Sequence, residues 1–307
     1  MNQRIISLFI LLVPQVILAR VYSPDANDSV ARNQSYPGLN LKSYSLLLAG
    51  DFKLQATAPF RMNKKQAIHL GEFAIITTGF VLNDDRIDKF ACSLSSNNSF
   101  VRKSSPVITQ FGGKYSFCFL GAFGLFSIIG KDKRAQVTTL LATQALITSG
   151  VWTRIGKLVT GRERPGVSAG SNTDPVADWY GFKHTIDYYK DYKKMSGSSY
   201  YSFPSGHTST AFSIATVFAK MYSDKPAIPI IAYSTATLVG LSRLTEHAHW
   251  MSDVFVGAAL GYLCGSQVVN NYRKTYNVKV PERRLINFTV SAEYNYNNFL
   301  VGITYKL

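Results

Sequence analysis

Three short runs of this chain combine groups that bind anions with groups that move protons. KLVTGRERP carries Lys157 and, after six residues, Arg164 and Pro165. SFPSGHTST carries Pro204, Ser205, Gly206 and His207, and SRLTEHAHWMSD carries Ser242, Arg243, His249 and Asp253. A phosphate monoester dianion needs several cationic donors, and the arginine fork matches two phosphate oxygens at once. Lys157 falls in the last turn of an apolar helix that Gly161 should end. Arg164 lies just past that end, biased to an extended conformation by Pro165, and Arg243 follows another apolar helix. Ser205 and Gly206 precede a helix expected to start near Thr208, where outward-pointing amides favour an anion. Gly206 allows close backbone approach, and the Ser205 hydroxyl is a further donor. His249 and Asp253, four apart, are expected on one helix face. There the carboxylate fixes the imidazole tautomer and leaves the other ring nitrogen to attack phosphorus. His207, opposite, would protonate the departing alkoxide.

The other candidates have plainer readings. His69 and His184 are expected to be structural or solvated, and Arg162 with Glu163 to form a solvated loop face. His247 and His249, two apart, would face away from each other on a helix, so no metal pair is expected there.

These three motifs, with eleven identities at fixed local spacings, make the chain resemble the type 2 phosphatidic acid phosphatase superfamily, which also includes bacterial acid phosphatases and vanadium haloperoxidases. The resemblance runs from about Tyr115 to Val269, and every fixed position is filled. It implies a phosphatase that works through a phosphohistidine without metal or organic cofactor. In that scheme His249 is the nucleophile, Asp253 its orienter and His207 the acid. Lys157, Arg164, Ser205, Gly206 and Arg243 bind the phosphate. A vanadate-dependent haloperoxidase is the alternative, since vanadate mimics pentacoordinate phosphorus. Against it, a chain of 307 residues lacks the long extra helical regions of those enzymes. A binding module without catalysis would be expected to lack His or Asp at the motif positions, and both are here.

The elements that must position these residues are helical. Apolar segments of helical length recur at Ala67 to Leu82, Tyr115 to Gly130, Ala135 to Leu158, Thr208 to Tyr222, Ala227 to Leu241 and Asp253 to Val269, so the expected fold is mostly α, a bundle of about six helices. Residues 1–19 read as a signal peptide, with Arg4 ahead of an apolar run and Ala19 at its end. Residues 20–65, rich in Pro, Asn and Ser, read as an irregular lead-in, 66–275 as the helical phosphatase domain, and 276–307 as a tail. In the tail Ile286, Phe288, Val290, Ala292 and Tyr294 alternate with polar residues, as do Phe299 to Leu307, which predicts a β-hairpin. The insertion from Gly166 to Phe203, dense in Tyr and Lys, joins two motifs and should roof the pocket, either selecting substrate or docking on an anionic lipid surface, or else is a mobile polar loop stapled by its aromatics.

Lys and Arg outnumber Asp and Glu by 33 to 18, and the net charge of +15 points to an anionic partner. No nucleic-acid signature accompanies it, so a phosphorylated lipid or small phosphoester is the expected partner. The three cysteines, Cys92, Cys118 and Cys264, form neither a disulfide framework nor a metal cluster by spacing and read as buried thiols. The apolar segments are short for membrane spans. The basic loops at Lys131 to Arg134, Lys220 to Lys225 and Arg273 to Lys274 would nevertheless share one side, as the positive-inside rule requires, if Ala67 to Leu82 lies on the surface. The cell envelope is the expected location: an inner membrane with an outward-facing site, or a soluble periplasmic bundle.

Overall fold

The computed structural model describes residues 36–168, 178–182 and 200–278, and the backbone of 287–295 and 298–306. The segment expected to be a signal peptide, His184 and most of the aromatic insertion lie outside the described residues. The body is mostly helical, with no strand among residues 36–168 or 200–278. The helices are α1 (Leu41–Ala56), α2 (Lys64–Val81), α3 (Asp84–Asn97), α4 (Ser99–Thr109), α5 (Lys114–Ile129), α6 (Lys133–Thr160), α7 (Gly206–Met221), α8 (Ala227–Thr245) and α9 (Met251–Thr275).

The count of six is therefore corrected by α1, α3 and α4. Helix α1 sits within the stretch expected to be irregular. Its start is marked by Asn40, whose side chain accepts from the Ser43 amide at 2.8 Å while the Ser43 hydroxyl caps the Asn40 amide at 3.0 Å, a reciprocal cap that outweighs the polar composition. Helix α3 has only a thin apolar face between charges, and α4 carries Pro106 inside it. In the tail, the backbone of Asn287–Asn295 runs antiparallel to Asn298–Lys306. A two-stranded ribbon is marginal by itself, so the expected hairpin is not counted as part of the fold.

Helix α7 is the central rod, buried along most of its length between α6, α8 and α9. Leu141, Ala142 and Ala145 of α6, Val217 of α7 and Val268, Val269 and Tyr272 of α9 form the main core cluster. Helices α7 and α9 run parallel and nearly touch. A Cβ added at Gly257, Gly261 or Gly265 would lie 2.6, 2.3 or 2.6 Å from the carbonyl oxygens of Ser205, Ser209 and Ser213 in turn. Only glycine at this spacing permits the approach, the close packing of small residues familiar between membrane helices. Helix α1 is tied to this body through its buried Asp51, which accepts from Gln144 at 2.6 Å and Asn271 at 2.7 Å.

The parallel pair, with α6 and α8 antiparallel to it, gives the bundle two chemically distinct ends. The end of α6, the start of α7, the end of α8 and the start of α9 meet at one. At the other, Arg134 pairs with Asp224 and donates to the Met221 carbonyl at 2.8 Å, while Arg273 donates to Lys220 O.

Helices α8 and α9 are long and apolar enough to cross a membrane. Ser99–Gly112 and Lys114–Ile129, bent by 52° at the break between them, form a third candidate together; α5 is too short to qualify alone. Large apolar side chains face outward on several helices, among them Phe126, Ile129, Ile231 and Leu263. Such a belt fits lipid better than water, and together with the candidate spans it supports membrane association.

Candidate active site

All three motifs arrive at one end of the bundle. Helix α6 closes on Gly161, which takes the left-handed conformation (φ 51°) and donates to the Lys157 carbonyl, the expected glycine cap. Lys157 and Arg164 reach the same acceptor, the Tyr201 carbonyl, Arg164 at 3.4 Å. Arg243 at the end of α8 pairs with Glu246 and donates to the Thr109 hydroxyl at 3.2 Å.

His249 is 1% exposed. Its Nδ1 lies 3.4 Å from Asp253 Oδ2 and 3.4 Å from the Ser202 hydroxyl, which itself donates to Asp253. The spacing predicted one helix carrying both residues, and the structure corrects this. Helix α9 begins at Met251, and His249 stands in the turn before it. Asp253 folds back over the helix start, where its Oδ2 accepts from the Trp250 amide at 2.9 Å. The carboxylate thus caps the helix and faces the imidazole, with Ser202 beside both.

The expectation that Arg162 and Glu163 are solvated is wrong. Arg162 is fully buried. One of its nitrogens donates to Asp253 Oδ1 and the Ser252 hydroxyl, both at 2.6 Å, and the other donates to Asp84 Oδ2 at 2.7 Å. Trp179 stacks on the guanidinium 4.4 Å away, and Trp250 donates to the Glu163 carbonyl at 2.7 Å. Arg162 therefore orients the carboxylate that faces His249, and no local signal in GRERP separates it from a surface arginine. Of the insertion, residues 166–168, 178–182 and 200–203 are described. Trp179 packs on Phe203, and the Tyr180 hydroxyl donates to Glu163 at 3.3 Å, so this part of it rests on the first motif.

At the start of α7, the Ser205 amide donates to the Asp253 carbonyl at 3.0 Å, and its hydroxyl lies 2.9 Å from that of Thr208. If Thr208 donates there, the Ser205 proton stays available to an anion. Gly206 opens the helix, and amides in this first turn have no intrahelical acceptor. The 110–113 break between α4 and α5 closes over His207: a Cβ at Gly113 would lie 3.1 Å from the His207 ring nitrogen, and one at Gly112 would lie 2.5 Å from its carbonyl oxygen. These two glycines were not read as part of the site. Their role depends on a contact far along the chain.

The cations govern the histidines. Burial first, and then Lys157, Arg164, Arg243 and His207, hold His249 well below the usual imidazole range. His207 is brought down to about 4 by burial, then by Arg243, Lys157 and Arg164, and Arg164 to about 10 by burial and then Arg243. An assembly that suppresses its own positive charge is poised for a dianion, which would cancel the repulsion. The sign for stability follows. Folded His207 titrates near 4 against an ordinary 6.5, so the unfolded chain binds the extra proton, and stability is lost as pH falls from about 6.5 towards 4. The melting temperature of the ligand-free protein should fall across that window and fall less with inorganic phosphate bound. His207→Asn should flatten the ligand-free profile; a profile unchanged by the substitution would remove His207 as its cause.

A family model of the PAP2 superfamily matches residues 116–276, more than half of the chain. The chain belongs to the PAP2 superfamily. Among curated PAP2 relatives, the lipid A 1-phosphatase of Porphyromonas gingivalis is 37% identical over 98 residues, covering 30% of this chain and 22% of that one. Lipid phosphate phosphatase 1 of Arabidopsis thaliana is 30% identical over 131 residues, 39% of each chain. The chain thus spans well under half the length of these relatives. Among solved PAP2 structures, Aquifex aeolicus LpxE is similar with a TM-score of 0.44 and 22% identity, over 60% of this chain and 93% of that one. All three motifs fall inside the PAP2 match, whereas Asp84, the second carboxylate on Arg162, precedes it.

Proposed function

We propose that this protein is a lipid phosphatase that removes phosphate from a lipid-linked monoester through a phosphohistidine on His249, at a site facing out of the cytoplasm. The observation that carries the reading is the buried imidazole of His249, backed by Asp253 and Ser202 and ringed by Lys157, Arg164, Arg243 and His207.

The phosphate would be held by those three cations, the Ser205 hydroxyl and the first amides of α7, donors already in place before charge develops. His249 Nδ1 is turned to Asp253 and Ser202, which leaves Nε2 to form the bond to phosphorus as the alkoxide leaves. His207, whose proton affinity rises once the dianion is bound, gives its proton to that alkoxide. Water then cleaves the phosphorus–nitrogen bond and restores His249. The cationic charge that zinc or magnesium would provide in another phosphatase is provided here by side chains.

A lipid substrate is supported by the outward-facing apolar belt and the candidate spans, and by the curated relatives, which are named as lipid phosphatases. The outward orientation is supported by the basic far end of the bundle, with Arg134, Lys220 and Arg273 on the side that positive-inside topology assigns to the cytoplasm.

The test is hydrolysis by detergent-solubilised protein of a panel spanning phosphatidic acid, isoprenoid diphosphate, lipid A phosphate and a soluble aryl phosphate, with and without chelator. Lipid esters should be preferred, vanadate should inhibit as a transition-state-like anion, and chelator should leave turnover within about twofold, since the proposed chemistry uses no metal. Spheroplasts should hydrolyse the soluble ester without lysis. Bromide oxidation by the vanadate-loaded protein with no ester hydrolysis would overturn the chemistry, and activity only in inverted vesicles would overturn the orientation.

A further inference from the structure

Helix α3 carries more than the carboxylate that meets Arg162. One turn beyond Asp84 lies Asp88, and one turn beyond that lies Cys92, so the three share a face of the helix. Opposite them stands His247, in the turn between α8 and the nucleophile. Asp88 Oδ1 is 2.8 Å and Cys92 Sγ is 3.0 Å from His247 Nδ1, and the ligand atoms of all three residues lie within 4.8 Å of one another.

We propose that Asp88, Cys92 and His247 form a binding site for a zinc-class dication, separate from the phosphate pocket, which clamps α3 to the turn leading to His249. The donor set is one thiolate, one imidazole and one carboxylate, which suits zinc or cobalt and not the oxygen-seeking magnesium or calcium. Asp88 and Cys92 converge on a single ring nitrogen, so the three donor atoms face one another across one small space. A dication placed there would displace the thiol proton and be bound by all three. Zinc bonds of about 2.0–2.3 Å imply ligand separations of roughly 3.3–3.5 Å in a tetrahedron, so the ring and the thiol need to move apart by only about half an ångström. The Asp88 side chain is 3% exposed and that of His247 is 26% exposed, which gives one buried wall and a wet fourth position.

The backbone is set for this task. His247 takes φ 56°, a left-handed conformation uncommon outside glycine. Its carbonyl accepts from the Gly166 amide at 3.1 Å and its amide donates to Leu244 O at 3.0 Å, so the strained turn is held from both sides while the ring meets α3. His249, two residues on, bonds instead to Asp253 and Ser202. The two histidines serve different partners, and the metal is not placed in the phosphate chemistry.

The full-length protein in detergent, freed of metal and kept reduced, should bind one equivalent of cobalt with a thiolate-to-cobalt charge-transfer band, and zinc should displace it. Zinc should also raise the melting temperature and protect Cys92 from alkylation. Cys92→Ser should abolish the band, Asp88→Asn and His247→Ala should each weaken cobalt binding at least tenfold, and His249→Asn should leave it unchanged. If a variant fails to fold, alkylation of the wild type still decides. A folded wild type with no band and no protection of Cys92 would overturn the site, as would a band that survives Cys92→Ser.

Discussion

His249→Ala should reduce phosphoester turnover by roughly 10⁴-fold or more, since loss of a nucleophile removes the covalent route and not merely one contact. The side chain is buried between Asp253 and Ser202, so the cavity it leaves costs some stability, but the helical content of the bundle should persist. Rapid quenching of wild type with radiolabelled substrate should trap label that is lost in acid and survives alkali, as expected of a phosphorus–nitrogen bond. The alanine variant should carry none. His207→Ala should fall by a smaller factor, about 10²–10⁴, and should still accumulate label with an activated leaving group that needs no proton. Label recovered on serine or aspartate would sink the assignment of His249.

The second large effect concerns stability. Arg162→Met should destabilise the protein by about 3–5 kcal/mol, the usual consequence of stranding buried charge. The guanidinium holds two carboxylates, Asp84 and Asp253, that are as fully buried as it is. Arg162→Lys should recover little, because one ammonium lacks the planar fork that spans Asp253, Ser252 and Asp84 together. Arg162→Met combined with Asp84→Asn should recover part of the loss, since the substitution of Asp84 removes one stranded charge. The check is equilibrium unfolding in detergent for the four proteins. A single Arg162→Met variant within about 1 kcal/mol of wild type, the range of a surface ion pair, would show that the buried charges are not coupled as described.

Arg162 also marks where sequence reading stops. That Lys157, Arg164, His207, Arg243, His249 and Asp253 come together at one place was legible, because each is defined by neighbours a few positions away, and short spacing carries over into space. Arg162 lies between two legible residues, but its burial is decided by Asp84, 78 positions earlier, on a helix whose polar residues hid its apolar face. Asp88 and Cys92 escaped for the same reason: His247 was weighed against His249 beside it, while its partners lie more than 150 positions away. Helix periodicity recovered α2 and the long apolar rods α5 to α9 and missed α1, α3 and α4, in which caps and tertiary contacts do what hydrophobicity does elsewhere. The helix expected to carry both His249 and Asp253 was misjudged by one turn, yet their pairing held, because a carboxylate at the third position of a helix can reach back over its start.

The glycine-lined contact between α7 and α9 sets a tolerance on the proposed catalytic groups. Ser205 and His207 stand at the head of one rod, with His249 and Asp253 at the head of the other. Carbonyl oxygens meet bare α-carbons between them, with no layer of side chains to act as a cushion. A joint of this kind behaves as a gauge block: any shim, even one methyl group, passes undiminished to the gap that must fit a phosphorus atom. The groups proposed to hold phosphate are thereby spaced by backbone contact, independently of the bulky residues farther out.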